Sequence, residues 1–170
     1  MTHQSSARAT TGTSTSDLVS PGHPGIAAGA TAELEIRRLV SRNAHYMWAE
    51  DVDGYVSQFA DDAELKQSSV HGGPTRVLTG REAIRTFIEG SWESLKPKPL
   101  THDHVVTVIS ETEAIGSSYV QVLDGSNSYS DMLISRYDDQ YVLQDGAWKF
   151  RERHANILKI NDSLQRQLSQ

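Results

Sequence analysis

The sequence predicts an α+β domain in which helices come first and a meander of antiparallel strands follows. Up to about residue 95, apolar residues recur at three- and four-residue steps, the period of a helix packed on one face. Beyond about residue 100 they alternate, the period of strands, with turn-forming pairs between the runs. Helical segments followed by consecutive strands give an α+β order. The length, 170 residues at 18.8 kDa, fits one domain, with a core burying roughly 70% of the extended chain's surface.

Residues 1–31 are rich in Ser, Thr, Gly and Ala and hold one basic residue, Arg8, and one acidic, Asp17. A segment with so little apolar surface to bury does not offset its ordering entropy, so it is expected to be a disordered tail. The domain is expected over 32–160, with a polar tail over 161–170. From Glu33 to Glu50 the stripe Ile36, Leu39, Val40, Ala44 and Met47 predicts the first helix. Val52, Tyr55, Val56 and Phe59 predict a second, short helix with Asp51 as its N-cap. Asp61-Asp62 is expected to end it, ahead of a brief strand at Ala63-Glu64-Leu65 and a loop holding Gly72-Gly73-Pro74. Thr79-Gly80-Arg81-Glu82 has the spacing of a capping box before Ile84, Phe87, Ile88 and Trp92, a third helix ended by Lys96-Pro97-Lys98-Pro99.

In the alternating half, His102, His104, Val106 and Val108 predict one face of a strand and Asp103, Val105, Thr107 and Ile109 the other. Ala114–Leu123 predicts a second strand, a segment opening at Ser128-Tyr129 and running to about Leu143 a third, and Trp148–His154 a fourth. Asp124-Gly125-Ser126-Asn127 and Asp145-Gly146 supply the turns. On the last strand, strict alternation groups Trp148, Phe150, Glu152 and His154, and sends Arg151 and Arg153 to the opposite, outward face.

Composition narrows the chemistry. Sixteen Lys plus Arg against 22 Asp plus Glu give a formal charge of −6, which disfavours nucleic acid and anionic membrane as partners. The sequence has no cysteine, so any chemistry falls to His, carboxylates, hydroxyls or backbone. No apolar run reaches the ~20 residues of a membrane helix and no signal-like apolar region opens the chain, so a cytoplasmic address is expected.

Val52-x2-Tyr55-x3-Phe59-Ala60-Asp61-Asp62-Ala63, followed later by Tyr137-x-Asp139-x-Tyr141-x3-Asp145-Gly146-x-Trp148, resembles the SnoaL-like members of the nuclear transport factor 2-like superfamily over about residues 33–158. The resemblance implies a curved sheet forming a cone, closed on one side by the N-terminal helices. It implies cofactor-independent dehydratases, isomerases and cyclases among its activities, alongside proteins of the same fold with no reaction. It also implies a Tyr and an Asp at the end of the first helix facing a strand His across the cone. Tyr46 and Asp51 have that spacing, while counting back from Phe59 without a gap puts Asn43 and Trp48 there. On the strand, the register leaves both His102 and His104 open.

An imidazole held by a carboxylate is a good proton acceptor near neutrality, and a Tyr hydroxyl opposite can polarise a carbonyl or protonate a leaving hydroxyl. The candidate catalytic residues are therefore Tyr46, Asp51, His102, His104 and His154, the last with Glu152 as its possible partner. Trp48, Tyr55, Tyr119 and Tyr137 are candidate substrate-binding aromatics. The reading is a lyase or isomerase without metal or cofactor, acting on a hydrophobic hydroxylated or carbonyl compound such as a polyketide, steroid or terpenoid. The alternative is a binding or accessory protein without turnover. Two further readings rank lower. Chelation of a metal by His102 and His104 lacks a carboxylate a few residues on. An Asp-Arg-Asp water site built on Arg136 with Asp131 or Asp139 has the Arg on the opposite strand face from both Asp. Alternating Ser130, Met132 and Ile134 with Val120 and Val122 predict a homodimer through the outer sheet face.

Overall fold

The computed structural model describes residues 25–68 and 74–162. Helix α1 (Ile26–Ala49) is followed by α2 (Val52–Ser57), β1 (Phe59–Ser68), β2 (Arg76–Thr79), α3 (Arg81–Ser94), β3 (Pro97–Val108), β4 (Glu113–Asp124), β5 (Ser130–Gln144) and β6 (Ala147–Ile160). The six strands form one curved sheet in the order β2-β1-β6-β5-β4-β3, with β1 parallel to β6 and the other pairs antiparallel. This is the predicted α+β architecture. α1 begins at Ile26, upstream of the expected domain start, and the rest of the expected N-terminal tail lies outside the described residues, as does most of the C-terminal one.

α1 buries Ile36, Leu39, Val40, Asn43 and Met47 along the stripe the periodicity marks. Its end is fixed from the sheet. Glu50 takes a left-handed conformation (φ 56°), and the buried Lys98 ammonium donates to the Trp48 carbonyl at 3.0 Å and to Glu50 Oε1 at 2.9 Å. The Lys-Pro stretch expected only to stop α3 thus opens β3 and ties down α1. Asp51 caps α2, accepting from the Gly54 amide at 2.9 Å. The capping box at Thr79 does not form. Thr79 is spent on pairing with Glu64, Gly80 turns the chain with φ 81°, and α3 starts one residue later without a side-chain cap. Phe59, Asp61 and Asp62 belong to β1 rather than to the end of α2.

Two bulges decide which side chains face inward. On β3, His102 pairs with Tyr119 and Val105 with Ser117, so two residues, Asp103 (φ 48°) and His104, stand opposite one. On β6, Phe150 pairs with Tyr141 but Glu152 with Gln140, leaving Arg151 as the extra residue. An inserted residue reverses inside and outside for everything beyond it. Trp148 and Phe150 are buried as predicted, yet past Arg151 it is Arg153 and Ala155 that point in. The expected orientations of Glu152, His154 and Arg153 are therefore corrected, all three by one bulge.

Candidate functional site

Beneath α3, the inner faces of β1, β5 and β6 enclose a cavity of about 770 Å³. Its wall is largely apolar, with Leu65, Ile88, Val122, Met132, Leu133 and Ile157 among the residues that line it. Its buried cation is Arg153, 3% exposed. Its guanidinium donates to both oxygens of Asp139 at 2.8 Å and to Asn43 Oδ1 at 2.7 Å. It lies over the Phe150 ring at 3.9 Å and the Tyr137 ring at 4.8 Å. Burial works against the charge, but the Asp139 carboxylate outweighs it and holds the guanidinium more firmly protonated than usual.

An arginine carries five N–H donors. Three are engaged here, leaving two without a partner among the described residues. Ser135, 1% exposed in the same wall, has an unpartnered Oγ. Buried polar groups are seldom left so, and several around one hollow mark a place for a ligand or water. Tyr137 and Tyr55 also line the cavity, and burial raises both hydroxyls above the usual tyrosine range, so they stay protonated donors.

Behind Arg153 the network continues away from the cavity. Tyr141 donates to Asp139 Oδ2 at 2.9 Å and meets His104 Nε2 at 3.1 Å. Since Tyr141 has a single hydroxyl proton, His104 donates through Nε2 and keeps Nδ1 as its acceptor. Burial, opposed by Asp139 and assisted by Arg37 and Arg153, lowers the His104 pKa, favouring neutral imidazole. Gly116 makes room for this contact, because a Cβ there would stand 2.8 Å from the Val105 carbonyl and 3.1 Å from the Tyr141 ring.

Of the residues singled out from sequence, Tyr55 and Tyr137 line the cavity and His104 joins the network, while the others lie elsewhere. His102 is exposed and off the face of His104, and among the described residues no three His, Asp or Glu side chains group as potential metal ligands. Asp51 is the α2 cap, and Tyr46 packs beside Gly54 at the same corner. The expected Tyr46–Asp51 pair therefore does not meet a strand histidine. Trp48 donates to the Pro99 carbonyl at 2.8 Å and stacks on Tyr129 outside the cavity. Tyr119 is exposed on the outer sheet face. His154 lies in a groove on that face with Arg136, Asp138 and Glu152. Glu152 pairs with Lys66 at 2.7 Å and Arg136 with Asp138 at 2.7 Å, so Arg136 forms no Asp-Arg-Asp site. Asn43, Asp139 and Arg153 are not anticipated as one site: the sequence offers Asn43 only through the ungapped count from Phe59, Asp139 only beside Arg136, and Arg153 only on the outward face.

The SnoaL-like domain family matches residues 28–154. The chain belongs to the SnoaL-like family. A candidate scytalone dehydratase from Novosphingobium aromaticivorans superposes with a TM-score of 0.69 at 21% identity, covering 80% of this chain and 90% of that one. A Mycobacterium tuberculosis protein of unknown function gives a TM-score of 0.69 at 22% identity, over 83% and 80% of the two chains. Aln2 from a Streptomyces species gives 0.63 at 21% identity, over 86% and 99%. At these identities the likeness is one of fold. No curated protein matches this SnoaL-like chain.

Proposed function

We propose that this SnoaL-like protein binds an apolar small molecule carrying an oxygen function, with the oxygen held at the Arg153, Ser135 and Tyr137 end of the cavity. The observation that carries the reading is a largely apolar wall with unused donors gathered at one place and, among the described residues, no imidazole or carboxylate in its lining. A volume of about 770 Å³ suits a ligand of fused rings or a comparable chain. Titration calorimetry against a panel of alicyclic and aromatic ketones tests it. Saturable binding is expected, and Tyr137→Phe, which removes a hydroxyl with no partner among the described residues, should weaken it by about two- to tenfold, the worth of one hydrogen bond. Absence of saturable binding across the panel overturns the reading.

Turnover as a lyase or isomerase, of dehydratase or cyclase type, is the second reading. It is favoured by the neutral His104, joined through Tyr141 and Asp139 to Arg153. In that reading Arg153 stabilises charge developing on a carbonyl oxygen, a solvent water takes the proton from the carbon beside it, and Tyr137 protonates the departing hydroxyl, while the His104–Tyr141–Asp139 chain positions Arg153 rather than supplying the base. The two readings part in heavy water. A bound β-hydroxyketone that loses water or gains deuterium next to its carbonyl supports turnover, provided His104→Gln slows the change; a ligand recovered unaltered supports binding alone.

We also propose a homodimer through the outer sheet face; of the residues expected there Ile134 is exposed while Val120, Val122 and Met132 are buried on the inner side, and the apolar residues exposed on that face are Val105, Ile115, Tyr119 and Ile134. Light scattering at micromolar concentration should give twice the chain mass, and Tyr119→Glu should give the monomer.

A further inference from the structure

The cavity carries a second cation, at its rim. Arg76 on β2 lines the opening with its guanidinium 5.4 Å above the Phe87 ring, and no carboxylate pairs with it among the described residues. This sets it apart from its neighbours. Lys66, also in the wall, is held by Glu152 at 2.7 Å and Glu64 at 2.9 Å. Arg81 and Arg85, on the adjoining helix, are paired with Asp61 and Asp53. On a chain with net charge −6, a cavity with an unpaired guanidinium at its rim and, among the described residues, no acidic side chain in its lining is a local reversal of sign.

The strand registers give the spacing of the two arginines. Arg153 lies in one row with Leu65 and Leu78, and Arg76 in another with Gln67 and Ala155. The rows are two residues apart and β2 is two strands from β6, which on an unbent sheet separates the Cα atoms of Arg76 and Arg153 by about 12 Å. Between them the surface is formed by Leu65, Gln67 and Ala155.

We propose that the natural ligand is an amphipathic acid whose carboxylate meets Arg76 at the rim while its apolar body fills the cavity toward Arg153. A guanidinium presents two parallel donors that match a carboxylate, and one already stacked on a ring has less freedom to lose on binding. The inference rests on the reading of the cavity as a small-molecule site, and the test separates the two. Calorimetry compares decanoate with decanol at neutral pH and low salt, so that chain length is fixed and only the charged head differs. Decanoate is expected to bind about three- to fivefold more tightly, the range for an ion pair open to solvent, and the advantage should shrink at high salt. Arg76→Gln should bring decanoate down to the affinity of decanol, and Arg76→Lys should restore part of the difference. Equal binding of the two probes by the unaltered protein overturns the acid preference and leaves the cavity reading standing. An advantage that survives in Arg76→Gln overturns the role of Arg76. Binding of neither probe overturns both.

Discussion

Removing Arg153 tests whether the centre of this site is held by electrostatics or by packing alone. Its pairing with Asp139 joins side chains 4% and 0% exposed, so neither charge has water to fall back on. Arg153→Met roughly keeps the volume and strands the Asp139 carboxylate, which retains only the Tyr141 hydroxyl at 2.9 Å. Breaking one side of a buried pair costs about 3–5 kcal/mol. A domain of this size has about 5–15 kcal/mol in total, so the variant should unfold at a much lower urea concentration while still folding in its absence. Asp139→Asn added to it removes the stranded charge. The double variant should therefore be at least about 2 kcal/mol more stable than the sum of the two single losses implies. Urea unfolding followed by tryptophan fluorescence measures all of this. A cost below about 1 kcal/mol, or strict additivity in the double variant, would refute the reasoning.

Two further outcomes are expected. The folded pKa of His104 is lowered, so the stability linked to its neutral form is complete above the unfolded histidine pKa and is lost as pH falls through the folded one. His104→Gln should flatten stability below about pH 6, and an NMR titration should show His104 protonating at lower pH than an unperturbed histidine. Gly116→Ala puts a methyl group against the Val105 carbonyl and the Tyr141 ring, with an expected cost of about 1–3 kcal/mol. In the same variant the His104 titration should move back toward the ordinary range as its contact with Tyr141 opens; an unchanged titration would show that the two rings are not coupled.

Much of the scaffold can be read along the chain because it depends on local repeats. The stripe of α1 and the alternation of β3 to β6 reflect side-chain periods that any packed helix or half-buried strand must obey. The Asp51 cap is equally local, since its carboxylate reaches an amide only three residues on. The capping box at Thr79 shows the limit of such reasoning, because a partner strand claims the same residue first.

The candidate site depends on long-range choices that leave no mark of their own. Asp103 and Arg151 are ordinary residues in ordinary strand sequences, and only pairing with β4 and β5 makes them the extra residue at which a strand changes face. Past Arg151 that change sends His154 outside and brings Arg153 in to meet Asp139 and Asn43. The chain's local periodicity thus determined where its helices and strands run. Tertiary pairing alone decided which polar groups face the cavity, because one inserted residue inverts every side chain beyond it while leaving the strand intact.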